Sequence, residues 1–116
     1  MVQIAIVAVA FALMGIGAFA RPRTFVGPFG LNAETPDARN EVQAVYGGFG
    51  LAVAATLAAT AWYPDYRDGV VVAVAASLAG MAGGRVVAAL RERPGRMPVI
   101  FFFVEAVGAA FLLTAL

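Results

Sequence analysis

Three charged residues lie inside long apolar segments of the chain, where a charge needs a specific partner. They are Glu41 in the second segment, Arg85 in the third and Glu105 in the fourth. Counted from the nearer segment ends at ~1.5 Å per helical residue, they lie about 7, 9 and 10 Å deep. Those three ends share one side of the membrane, so the sequence predicts a single charged layer.

An ion-pair network around a guanidinium is the chemistry that these residue types allow. A guanidinium can bond two carboxylates at once, and Glu105 is too short to reach the membrane surface comfortably. We therefore predict that Arg85 bonds both Glu105 and Glu41. The predicted buried polar cluster consists of Glu41, Arg85 and Glu105, with Asn40, Gln43, Tyr46 and Arg39 beside them. Three roles stay open: holding helices in register, binding a lipid head group or small molecule, or conducting protons or ions.

Four apolar helices are predicted to position these residues. The 116 residues are 62% hydrophobic and 13% charged, which is far more apolar than a soluble domain. A chain this short cannot bury so much apolar surface in its own core, so the surplus must face lipid. Segments that can span a membrane cover about 2–20, 36–63, 70–90 and 98–116. The predicted fold is all-α: one domain over 1–116, a four-transmembrane-helix bundle with antiparallel up-down topology.

Local signals indicate how the first two segments begin and end. Thr35 can cap a helix, Pro36 suits the first helical position, and Asp37 favours the positive end of the dipole. The first segment has no preceding positive charge and is long for a cleavable signal peptide, so we expect it to be retained. The connection at 21–35 reads either as a loop packed at the interface or as a re-entrant lid.

The arginine distribution predicts the orientation in the membrane. Five arginines lie in the first and third connections, at Arg21, Arg23, Arg91, Arg93 and Arg96, whereas Arg67 lies in the second. Positive connections mark the cytoplasmic side. Both termini are therefore predicted on the non-cytoplasmic side of a multi-pass protein.

Small residues mark predicted helix contacts. Gly48 belongs to a stripe of small residues in the second segment, and Gly80 and Gly84 form a GxxxG motif in the third. Such residues let membrane helices approach closely. The GxxxG contact can form within the chain, which we favour, or between protomers.

Several function classes lose support from the composition. The chain has no Cys and no His, which removes thiol chemistry and the commonest metal ligand and general base. Its net charge of +1 gives no field that attracts nucleic acid. We expect no metal, no cofactor and no nucleic-acid partner, and an enzyme is not favoured.

One motif in the chain is similar to a known family. The residues Asn40-Glu41-x-x-Ala44-Val45-Tyr46-Gly47-Gly48, then Gly84-Arg85 and a lone Glu105, resemble a family of small four-helix bacterial membrane proteins known as a domain of unknown function. The resemblance covers essentially the whole chain and implies a bacterial inner membrane. Gln43 stands where the family pattern has an arginine, and Arg39 is the candidate replacement. The resemblance implies no activity.

Three functions fit these observations. The first is a non-catalytic accessory or assembly subunit of a larger membrane complex, consistent with short connections and small-residue contact surfaces. The second is a small homo-oligomeric transporter, or a protein that binds membrane lipid or a small molecule, using the same cluster. The third is an enzyme acting on a lipid or quinone, with Glu41 or Glu105 as base and Tyr46 as donor.

Overall fold

The protein is entirely helical. A computed structural model describes all 116 residues and contains no strand. Its α-helices are α1 (Val2–Ala20), α2 (Pro22–Val26), α3 (Pro36–Val42), α4 (Phe49–Ala59), α5 (Arg67–Arg91) and α6 (Arg96–Leu113). A π-helix (Gln43–Gly48) joins α3 to α4, and 3-10 turns occur at Gly27–Phe29 and Pro64–Tyr66. The all-α prediction is confirmed.

Four helical stretches are long and apolar enough to cross a membrane: Val2–Ala20, Pro36–Ala59, Pro64–Arg91 and Arg96–Leu113. In an apolar 18-residue window of each stretch, only 17% to 28% is buried inside the protein. Because most of this apolar surface has no protein cover, it fits a lipid environment. The second stretch ends four residues before its predicted end, and the third begins earlier than predicted. A single up-down bundle, a single domain and the side of the termini stay predictions.

One compact unit contains Met1–Ile4 and Thr60–Leu116. Within it, α5 and α6 pack together across a short connection. Leu78, near the middle of α5, lies 3.6 Å from a Cβ placed on Gly108 of α6. The side chain of Gln3 adds a hydrogen bond of 3.1 Å to the hydroxyl of Thr114. This unit positions the charges of α5 and α6 relative to each other.

The second compact unit, Ala5–Ala59, brings α1 against the second candidate span. The contact depends on glycines, which have no side chain to keep the helices apart. A Cβ on Gly47 would lie 2.7 Å from the ring of Phe19, and one on Gly15 would lie 2.8 Å from the carbonyl oxygen of Gly47. Such distances leave no room for a methyl group, so the backbones approach as closely as small residues permit.

The π-helix changes which residues of the second span face inward. Val42 and Gly47 are both buried although they are five residues apart. Five is the hydrogen-bond spacing of a π-helix, and the Phe49 N–H accordingly bonds the carbonyl of Ala44. Beyond it, Gly50, Ala54 and Leu57 are buried at ordinary α-helical spacing. The wide turn therefore shifts the buried face relative to a continuous α-helix.

The first connection is packed against its own unit. Thr35 Oγ1 accepts a hydrogen bond of 3.0 Å from the Ala38 N–H, which confirms the predicted helix start. Val26 of α2 is buried in a cluster with Ala18, Ala33 and Val42. The connection is thus held to the ends of α1 and α3 by apolar contacts.

Candidate functional site

The best-defined polar feature is an ion pair between α5 and α6. Arg85 Nε lies 2.6 Å from Glu105 Oε1, and Arg85 Nη2 lies 2.9 Å from Glu105 Oε2. This is the bidentate geometry that a planar guanidinium makes with a carboxylate. The Glu105 side chain is 7% exposed and the Arg85 side chain 28% exposed. The carboxylate is therefore almost fully buried. Its charge is neutralised by Arg85, whose side chain stays partly exposed.

The helix faces explain why these two residues meet. Leu78, Ala82 and Arg85 follow one another at intervals of four and three, so they share the side of α5 that is turned inward. On α6, Glu105 and Ala109 are buried at the same helical spacing.

An aromatic ring supports the arginine. The Arg85 guanidinium carbon lies 5.9 Å from the centroid of the Phe101 ring, within the range of a cation–π interaction. Phe101 precedes Glu105 by four residues, so both side chains project from one side of α6. The ring restricts the guanidinium while the carboxylate binds it.

This geometry neutralises the buried carboxylate with a bonded partner. Both oxygens of Glu105 accept hydrogen bonds from Arg85 of the neighbouring helix α5. In an apolar surrounding an isolated charge is costly, whereas a paired and hydrogen-bonded one is tolerated. Elsewhere in the chain, no group of three or more His, Cys, Asp or Glu residues is placed to hold a metal ion.

Two other residues of the predicted cluster bind backbone carbonyls in the Ala5–Ala59 unit. Arg39 Nη1 donates to the carbonyl of Ala33 at 3.1 Å. Gln43 Nε2 donates to the carbonyl of Phe19 at 3.3 Å, near the end of α1. Both interactions fasten the first connection and the helix ends beside it, so these side chains have local structural partners.

The remaining three residues of the predicted cluster are exposed. The ring centroids of Tyr46 and Phe25 lie 5.3 Å apart, with the two rings tilted to each other by 55°. Asn40 and Glu41 are exposed, which corrects the prediction that they are buried. Asn40 precedes the inward-facing Val42 by two residues and Glu41 precedes it by one, which directs both to other sides of α3. A bond from Arg85 to Glu41 stays a prediction.

The predicted glycine contacts need correction. A Cβ on Gly48 would meet only a backbone oxygen at 3.9 Å, because the π-helix directs Gly47 and Gly50 inward instead. On α5, a Cβ on Gly80 or Gly84 would meet no atom of another helix within 4 Å. Within its own compact unit the GxxxG motif therefore makes no close helix contact, and a contact with the rest of the chain or with another chain stays a prediction.

Sequence reasoning missed the residues that make these contacts. Gly15 and Gly50 carry the close approach in the Ala5–Ala59 unit, and Phe101 supports Arg85. A signal for Phe101 is present, since it lies one helical turn before the only charge of its apolar segment. For Gly47 and Gly50 no comparable signal exists, because the π-helix decides which glycine faces inward.

Taken together, the helices and the ion pair define the class: an all-helical membrane protein with four candidate spans and an Arg–Glu pair between the last two. A family model described as Domain of unknown function (DUF4345) matches residues 2–116. The chain belongs to this family, which confirms the resemblance noted in the sequence. No curated protein and no solved structure matched the chain.

Proposed function

We propose that this protein is a non-catalytic accessory or assembly subunit of a larger complex in the bacterial inner membrane. The observation that carries the proposal is the outward face of α5. We call it the small face, and its members are Ala73, Ala76, Ser77, Gly80, Gly83 and Gly84, all exposed. At 3.6 residues per turn, Gly80 lies about 160° around the helix from the buried Leu78 and Ala82.

The composition of the small face supports contact with protein rather than with lipid. Helix contacts in membranes are rich in small residues because they allow close backbone approach and good packing. The same chain offers a contrast in α1, whose exposed residues include Ile6, Val9, Leu13 and Ile16. Large aliphatic side chains fill the space between lipid tails, whereas the small residues of the small face let a second helix approach closely.

The Arg85–Glu105 pair supports the same function. It fixes α5 against α6 on the side of α5 opposite the small face. Because the ion pair fixes α5 through its α6-facing side, the small face on the other side can be a rigid surface. A rigid surface loses less entropy when a partner binds to it. In this proposal the ion pair has a structural role, and no catalytic group is required.

A cross-linking experiment tests the proposal, because the chain has no native cysteine. Gly80→Cys is introduced, labelled in native membranes with a photoreactive thiol reagent, and illuminated. The matched control is Leu13→Cys, on the exposed aliphatic face of α1. We expect Gly80→Cys to give an adduct with a different membrane protein, identified by mass spectrometry, and Leu13→Cys to give lipid adducts.

Two other outcomes are informative. An adduct between two copies of this chain would favour the second candidate function, a small homo-oligomeric transporter or ligand-binding protein. Lipid adducts alone from Gly80→Cys would contradict the proposal. A second variant pair adds a test by disruption: Gly80→Leu should release the partner on extraction, whereas Val86→Leu, exposed on another side of α5, should retain it.

A further inference from the structure

An open depression with a volume of about 440 Å³ lies at the turn between α5 and α6. We call it the turn depression. Its lining includes Arg85, Arg91, Glu92, Arg93, Pro94 and Pro98. The candidate span Pro64–Arg91 ends at this turn, and the span Arg96–Leu113 begins there. The turn depression therefore lies at the level of the lipid head groups of a bilayer.

The turn depression is positively charged. Three arginines and one glutamate line it, and Glu105 behind Arg85 is already paired. Arg91 and Arg93 are exposed and make no ion pair within the protein. Guanidinium groups match the geometry of phosphate oxygens and bind them bidentately. An anion in the turn depression would therefore find two uncommitted partners.

The start of α6 adds a second, independent attraction for an anion. Its N-cap residue, Gly95, has no side chain to cap the helix, and no other side chain caps it. The first backbone N–H groups, at Arg96 and Met97, have no intrahelical partner, and the helix dipole is positive at this end. Uncapped helix N-termini bind phosphate through these N–H groups. Pro98, in this first turn, lines the same depression.

We propose that the turn depression binds a phosphate-bearing anion, and that the anion is the head group of an acidic membrane phospholipid. Its position at the ends of two candidate spans favours a lipid over a soluble phosphate. The exposed Val86 and Leu90 of α5, one helical turn apart and close to the turn, supply an apolar surface for the acyl chains. Basic pockets between membrane helices are known to bind such head groups. The proposal uses no residue of the small face, so it stands or falls independently of the proposed function.

The first test replaces the two unpaired arginines. Full-length protein is reconstituted in vesicles of phosphatidylcholine with phosphatidylglycerol, and native mass spectrometry measures retained phosphatidylglycerol. Arg91→Gln with Arg93→Gln should weaken retention about 30-fold, since each basic residue near a membrane contributes about 1 kcal/mol. The control is Arg21→Gln with Arg23→Gln, an equally spaced pair in the first connection that does not line the turn depression, and it should weaken retention much less.

The second test changes the helix start without touching an arginine. Gly95 has a negative φ and open space around it, so a side chain fits there. Gly95→Asp and Gly95→Asn can both cap α6, but only aspartate adds a negative charge. We expect Gly95→Asp to reduce phosphatidylglycerol retention at least several-fold below Gly95→Asn, with the melting temperatures of both at or above that of the native protein.

A third arm distinguishes lipid from soluble phosphate. Inorganic phosphate is added to the protein in vesicles of phosphatidylcholine alone, and the melting temperature is recorded. A rise that Arg91→Gln with Arg93→Gln abolishes, without retention of phosphatidylglycerol, would keep the anion site and assign it a soluble phosphate. Equal retention in the arginine variant and its control, with no response to phosphate, would overturn the proposal.

Discussion

Replacing Arg85 by alanine is expected to destabilise the protein through the carboxylate that it leaves behind. Glu105 is 7% exposed and both its oxygens accept from Arg85, so the variant keeps an enclosed, unpaired charge. Breaking a buried ion pair in this way generally costs about 3–5 kcal/mol. Because Arg85 itself is 28% exposed, we expect the lower end, about 3 kcal/mol.

A second substitution separates the charge effect from lost packing. Glu105→Gln keeps the size of the side chain but removes its charge. Combined with Arg85→Ala it should recover at least ~1 kcal/mol, because a neutral amide is cheaper to bury than a carboxylate. The free energy of unfolding is measured by denaturant titration in mixed micelles, followed by circular dichroism.

The control is an exposed ion pair in the same compact unit. Arg67 Nη1 lies 3.3 Å from Asp68 Oδ1, and the Asp68 side chain is 75% exposed. Arg67→Ala should therefore cost less than ~1 kcal/mol. If the effects of Arg85→Ala and Glu105→Gln were fully additive, or if Arg85→Ala cost no more than Arg67→Ala, the assigned role of the pair would be refuted.

Two further predictions concern packing and orientation. Gly47→Ala should cost about 1–3 kcal/mol because its methyl group would lie 2.7 Å from the Phe19 ring, whereas Gly48→Ala, which has open space, should be neutral or slightly stabilising. Equal effects in the same unfolding assay would contradict the π-helix register. A reporter that works only outside the cytoplasm should be active when it is fused after Leu116. Activity of a reporter that works only in the cytoplasm would contradict the predicted topology.

Much of the candidate site was predictable from sequence because depth along a helix is a local property. Arg85 and Glu105 were expected in one layer from their distances to the ends of their segments, and the structure brings them together. Glu41 was assigned to the same layer by the same count, yet the side of the helix that it occupies depends on Val42 being turned inward. Depth follows from counting residues, whereas facing follows from packing.

By itself, the sequence determined the membrane character, the four apolar spans, the absence of strands and the capped helix start at Thr35. These follow from composition and local hydrogen bonding, which sum over neighbouring residues. Only the tertiary structure decided that Gly47 rather than Gly48 is buried, and that Gly80 faces outward. The physical reason is helical phase: one wide π turn rotates every residue after it, and a small residue is equally compatible with an inner or an outer face.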